Sequence, residues 1–194
     1  MGVALKAYAL RRGDTQFKQF VMASTFSLRP FPKTCEEIEL GNHWVPQYLT
    51  IPVDLSFEKC LHHNKAQMRS LIGSSKLLGM QNFISVLLLL PFNLAKHSIT
   101  LLSKKLTMTY SNMPTSLKPY DYAGYKCTSM TGFLPAVGDM LCGIVFTSHA
   151  NVLKFGLITD THYIEHPDEF MALMHRTIQD FLNREKTDNS TARM

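Results

Sequence analysis

No Cys-x-x-C pair occurs in this 194-residue sequence, and its four cysteines, Cys35, Cys60, Cys127 and Cys142, stand far apart with no histidine at zinc-finger spacing. That pattern excludes a structural zinc site, and the eight histidines are too dispersed to suggest another metal centre. The adjacent His62-His63 pair would diverge by about 100° on a helix, which is the pattern of a solvated face. Phosphate-binding loops of the G-x-G-x-x-G and Walker types are missing, and no G-x-S-x-G marks a serine hydrolase. Long hydrophobic runs are lacking too. The greasiest stretch, 83–102, is interrupted by Pro91, Asn93, Lys96 and His97 before it reaches the roughly 20 apolar residues of a membrane span. The N-terminus carries no signal peptide, so an intracellular, reducing setting with four free and mostly buried thiols is expected. Lys6 stands where a myristoylation site needs Ser or Thr.

What remains is the composition of a folded protein: 45% hydrophobic, 10% aromatic and 18% charged residues, with a mean hydropathy of -0.03. Whole-chain disorder and a multi-span membrane protein are both excluded. The length suits one domain, placed at 1–183, followed by a polar tail over 184–194 that has no apolar anchors. Twenty Lys+Arg against fifteen Asp+Glu give a net charge of +5, suited to an anionic partner. The basic residues are scattered singly or in pairs, such as Arg11-Arg12 and Lys104-Lys105, which argues against a nucleic-acid platform.

Residues 3–12 read as the end of a helix closed by Gly13. Strands are expected over 20–28, 44–53, 106–110 and 122–130, with Pro46 and Pro52 placing the second at a sheet edge. From Phe57 an amphipathic helix runs to Gly73 or Gly79, with Asp54 or Ser56 as its N-cap. Residues 83–102 form one kinked or two short helices. Ser111-Asn112-Met113-Pro114 reads as a turn. Residues 141–148 and 152–160 make a hairpin across His149-Ala150-Asn151. Asp160 then caps the following turn, and Pro167-Asp168-Glu169 opens a helix whose apolar face includes Phe170, Leu173, Met174, Thr177, Ile178 and Phe181. The reading is an α+β sandwich in which helices pack on a mixed β-sheet.

The order of these segments carries a further lead. Ser111-Asn112-Met113-Pro114, Tyr122-Ala123-Gly124, the hairpin and Ile164-Glu165-His166-Pro167-Asp168 follow one another as in the C-terminal half of the wax ester synthase/diacylglycerol acyltransferase family, which this sequence resembles. Upstream, Arg11-Arg12-Gly13, the strand over 20–29, Leu40-Gly41-Asn42, Val45 and Ile51-Pro52 fall in the same order, so the resemblance spans roughly residues 3–182. It implies a chloramphenicol-acetyltransferase-like lobe of a CoA-dependent acyltransferase. Such an enzyme passes an acyl group from acyl-CoA to a long-chain alcohol or diacylglycerol, with no permanently bound cofactor and acyl-CoA as co-substrate.

In that family the catalytic histidine lies in an H-H-x-x-x-D-G motif of the N-terminal lobe. Here no histidine is followed four residues later by aspartate, and His62-His63-Asn64 falls at the wrong place in family order. No catalytic residue is therefore assigned, and the chain alone is expected to be inactive, its partner being an N-terminal catalytic lobe or a larger complex. The sequence also starts just past the point where the family carries an Asn-Asp pair. By the same resemblance Ser111, Asn112 and Pro114 are candidate substrate contacts, although Met113 and Thr115-Ser116 depart from the family's Val and Gly-Pro. Phe83, Val86, Leu87, Leu90 and Phe92 are candidates for an acyl channel or a lipid-facing surface, or for ordinary core packing, since all three draw on apolar area. Peripheral contact with an endoplasmic-reticulum or lipid-droplet membrane follows from the lipid-facing reading, and a degenerate lobe acting as a lipid-binding module or structural subunit is the alternative.

Overall fold

The computed structural model describes residues 2–13, 18–30, 32–38, 41, 43–135 and 138–191, with side chains except at 35 and 184–191. The Cys35 thiol, Leu40 and Asn42 lie outside the described residues. Helix α1 (Gly2–Arg11) ends at Gly13, whose φ of 81° is the left-handed geometry that closes a helix. Strands β1 (Gln19–Ser27) and β2 (Trp44–Pro52) pair antiparallel along their whole length. Strand β2 occupies a sheet edge, where the missing N–H groups of Pro46 and Pro52 are tolerated.

Three helices follow: α2 (Phe57–Leu71), α3 (Ser75–Leu88) and α4 (Phe92–Ser103). Ser56 is the N-cap of α2, its side chain accepting from the Lys59 N–H. Gly73, at φ 73°, separates α2 from α3, and the apolar stretch beyond it breaks at Leu89–Pro91. It is thus two helices, the first of which begins well upstream of Phe83.

Strand β3 (Met108–Pro114) pairs parallel with β1 and, through Pro114, with β6 (Cys142–His149). The Ser111–Pro114 segment is therefore strand and not a turn. Its local turn preference is overridden by a parallel ladder to residues more than thirty positions away, which sequence-local reasoning does not see. The expected strand over 122–130 is instead a small hairpin, β4 (Tyr120–Tyr122) and β5 (Tyr125–Cys127). Its turn residues Ala123 and Gly124 both have positive φ. Strand β7 (Val152–Thr159) returns antiparallel to β6 across Ala150 and Asn151, at φ 49° and 62°, so the link has two residues and His149 belongs to the strand. Asp160 caps the next turn as expected, its Oδ1 accepting from the His162 N–H at 2.8 Å. Helix α5 (Pro167–Thr191) starts at Pro167 and runs on through the polar residues after Asn183.

The five-stranded sheet has the order β2-β1-β3-β6-β7, mixed in direction. Its helix-covered face carries the core, in which Phe20, Met108, Cys142 and Ile144 from the strands meet Leu5, Phe170 and Met174 from α1 and α5. Tyr8 and Phe170 meet edge to face with ring centroids 5.7 Å apart. Residues 131–135 run across the opposite face so closely that a Cβ on Gly143 would overlap the Leu134 carbonyl, and one on Gly156 the Gly132 carbonyl. Glycine at 143 and 156 thus permits a bare backbone to cover this face.

Candidate functional site

Alternation along the strands sends Phe20 and Met22 of β1, Ile51 of β2, Tyr110 and Asn112 of β3 and Phe146 of β6 to the helix-covered face. Between these side chains and Gly2, Val3, Phe57, Cys60, Leu61, Asn64 and Thr177 of the helices lies a cavity of about 510 Å³. Its walls are mostly apolar. Val3, Phe57, Leu61 and Thr177 also line a larger groove of about 980 Å³, whose rim adds Lys6, Glu58, His62, Lys65 and Asp180. Phe57, which lines both spaces, packs on Phe181 of the groove with ring centroids 4.5 Å apart. The arrangement is an apolar recess adjoining a charged cleft, the complement of a molecule with a hydrocarbon end and a polar end.

Few polar atoms enter the recess. Thr177 Oγ1 donates back to the Leu173 carbonyl, Asn64 Nδ2 donates to Cys60 Sγ, and Cys60 Sγ reaches the Pro52 carbonyl. Asn64 Oδ1 is buried with no hydrogen-bond partner, leaving one acceptor for a donor group on a bound molecule. Burial pushes the Tyr110 phenol above its usual range and so keeps it neutral.

The three candidate contacts on β3 do not converge. Asn112 lines the recess, whereas Ser111 faces the other side of the sheet, 3.2 Å from Thr25 Oγ1, and Pro114 ends the strand in an exposed position. Of the apolar candidates, Leu87 is buried, Leu90 is half-buried, and Phe83, Val86 and Phe92 are exposed. None of these five lines the recess, the groove or a third cavity of about 460 Å³ beside α1. The recess residues Phe20, Met22, Ile51, Tyr110 and Phe146 were signalled only by strand alternation, and the partner helices that turn that face into a cavity come from distant sequence.

Seven of the eight histidines are exposed. His149 is buried, but both of its ring nitrogens are engaged, Nδ1 with Thr115 Oγ1 and Nε2 with the Cys127 carbonyl, each at 2.8 Å, while Tyr120 stacks on the ring. It joins the β4–β5 hairpin to the end of β6. Among the described residues no histidine pairs with a carboxylate, and no three His, Cys, Asp or Glu side chains are grouped to hold a metal ion. Thiol burial is less general than the sequence suggests: Cys142 is buried and its pKa is pushed up to about 12, whereas Cys60 and Cys127 are half-buried.

Comparison with known proteins bears on the same fold. A search of curated proteins gives no significant sequence match. Among solved structures, the wax ester synthase/diacylglycerol acyltransferase from Marinobacter aquaeolei VT8 is similar, with a TM-score of 0.57 and 16% identity. The match covers 90% of this chain and 39% of that one, so this chain spans about two-fifths of the length of that enzyme. The mixed sheet and its helices are therefore shared with this structure. The family model of the WS/DGAT C-terminal domain matches residues 40–181, and the chain belongs to that family.

Proposed function

We propose that this chain is the C-terminal lobe of an O-acyltransferase that joins the acyl group of an acyl-CoA to a long-chain alcohol or diacylglycerol. The observation that carries the reading is the apolar recess of about 510 Å³ beside a charged groove, set in a domain of the WS/DGAT family. Its volume lies within the roughly 300–1,000 Å³ of small-molecule sites. In this reading the hydrocarbon chain lies against Phe20, Met22 and Phe146, Asn64 and Asn112 meet polar atoms near its head, and Lys65 stands at the rim where phosphates of CoA would sit, with Lys6 nearby paired to Asp54 at 2.9 Å.

Acyl transfer requires a base to remove the proton from the acceptor hydroxyl as its oxygen attacks the thioester carbonyl. Among the described residues the histidines are either exposed without a carboxylate partner or, at His149, fully engaged in structure. The base is accordingly assigned to a separate N-terminal lobe bearing H-H-x-x-x-D-G. The same absence favours a second reading, a lipid- or acyl-CoA-binding module without catalysis, held in a larger complex.

Thermal unfolding with a long-chain acyl-CoA tests the shared premise. At ligand a hundred times above Kd the native state gains about 2.7 kcal/mol, and for a chain of this size each kcal/mol raises Tm by roughly 2–4 °C. Thr177→Trp, which places an indole at the mouth of the recess, is expected to abolish the shift. An unchanged Tm with wild-type protein at saturating ligand contradicts both readings. Acyl transfer on adding the N-terminal lobe separates the first from the second.

A further inference from the structure

The average charge hides a marked asymmetry. Between Glu58 and Asp121 the sequence has no acidic residue at all, yet it holds eight of the twenty Lys+Arg. This acid-free interval contains all of α3 and α4. Helix α3 is mostly apolar, with Lys76 its one charged residue and Ser75, Gln81, Asn82 and Ser85 on one side, yet its one buried residue is Leu87. Helix α4 buries only Ser103. At the corner joining them Leu88, Leu89 and Phe92 are 74%, 84% and 79% exposed. Exposed apolar surface that is contiguous along two helices marks a contact with something else.

Charge selects what that is. Lys76, Lys96, Lys104 and Lys105 are exposed, and among the described residues none of them takes part in an ion pair. Protein interfaces are depleted in lysine, whereas apolar helices flanked by lysine suit a lipid surface of negative charge. Fourteen and twelve residues make helices of about 21 and 18 Å, shorter than the roughly 30 Å hydrocarbon core. Among the described residues no single helix is long and apolar enough to cross a membrane.

We propose that α3 and α4 dock the protein on an anionic lipid bilayer, with Leu88, Leu89 and Phe92 entering the acyl region and Lys96, Lys104 and Lys105 meeting headgroup phosphates. The inference is independent of the acyl-transfer reading, because none of these residues lines the recess. It is tested by co-sedimentation of the whole chain with phosphatidylcholine vesicles, pure or with about 30% phosphatidylserine. Binding at least about tenfold stronger to the anionic vesicles is expected, falling about tenfold or more between about 0.1 M and 0.5 M salt. The double variant Leu89→Glu/Phe92→Glu is expected to lose it with Tm unchanged, and the triple variant Lys96→Glu/Lys104→Glu/Lys105→Glu to lose the preference for phosphatidylserine. The triple variant leaves the apolar corner intact, so it gives a second readout should the double variant fail to fold. Equal binding to both vesicles, or binding to neither, overturns the proposal. So does a lipid-free dimer that Leu89→Glu/Phe92→Glu dissociates, which assigns the face to a second copy of the chain.

Discussion

In the sheet and the helices that cover it, Phe20, Met108, Cys142, Ile144 and Phe170 are at most 1% exposed, whereas Leu88, Leu89 and Phe92 at the α3–α4 corner are at least 74% exposed. Both regions are rich in apolar residues. In the first, burial removes that area from water and stabilises the fold by about 25 cal/mol per Å². In the second most of the same kind of area stays in water, where the proposed lipid contact would cover it. Apolar composition alone therefore does not tell which residues make the core; burial does.

The division is sharpest where a substitution should destabilise in one region and not the other. Phe170→Ala leaves a hole beneath Tyr8 and is expected to cost about 3–5 kcal/mol in denaturant unfolding. Gly143→Ala drives a Cβ into the Leu134 carbonyl, and a loss of about 1–3 kcal/mol is expected as residues 131–135 lift from the sheet. If either variant unfolds like the wild type, the sheet does not hold the core described here.

Thiol chemistry probes the same contrast without mutation. With its pKa pushed up to about 12 by burial, Cys142 holds little thiolate at pH 8. In the native state it should be alkylated at least about a hundredfold more slowly than in denaturant. Comparable rates in the two states would show that β6 opens readily.

Smaller effects are expected at the surface of the packed region. Glu165 accepts from the Arg12 guanidinium at 2.8 Å, and this bond, then the charge attraction, holds the carboxyl below its ordinary range. A lowered folded-state pKa stabilises above the unfolded carboxylate value and is lost as pH falls through the folded one. The stability difference between wild type and Glu165→Gln is therefore expected to be small at neutral pH and to vanish in acid, and added salt should reduce it. Smallest of all, Leu89→Ala and Phe92→Ala should change stability by no more than about 0.5 kcal/mol. A larger loss would mean that the corner is part of the core.

Several features were legible in the sequence because their signals are local. Pro167 with Asp168 and Glu169 marks the start of α5, Gly13 the end of α1, and Pro46 and Pro52 the edge position of β2. Asn151 likewise marks the turn of the β6–β7 hairpin. Ser111–Pro114 was misread because a parallel ladder, not the residues themselves, makes it a strand. The candidate site was less legible for the same reason. Asn112 was identified through family order, but the alternation of β3 sends its neighbour Ser111 to the opposite face, and α2 and α5 complete the recess from far along the chain. The acid-free interval between Glu58 and Asp121 could be read directly, yet the overall charge of +5 concealed it.

In the proposed arrangement this domain holds the acyl substrate while the catalytic base comes from elsewhere. Acyl transfer from a long-chain acyl-CoA to hexadecanol, measured with the purified 194-residue chain alone and again with an N-terminal lobe bearing H-H-x-x-x-D-G, tests this directly. Ester is expected only when both are present. Ester formation by the chain alone, or none from the pair, would contradict it.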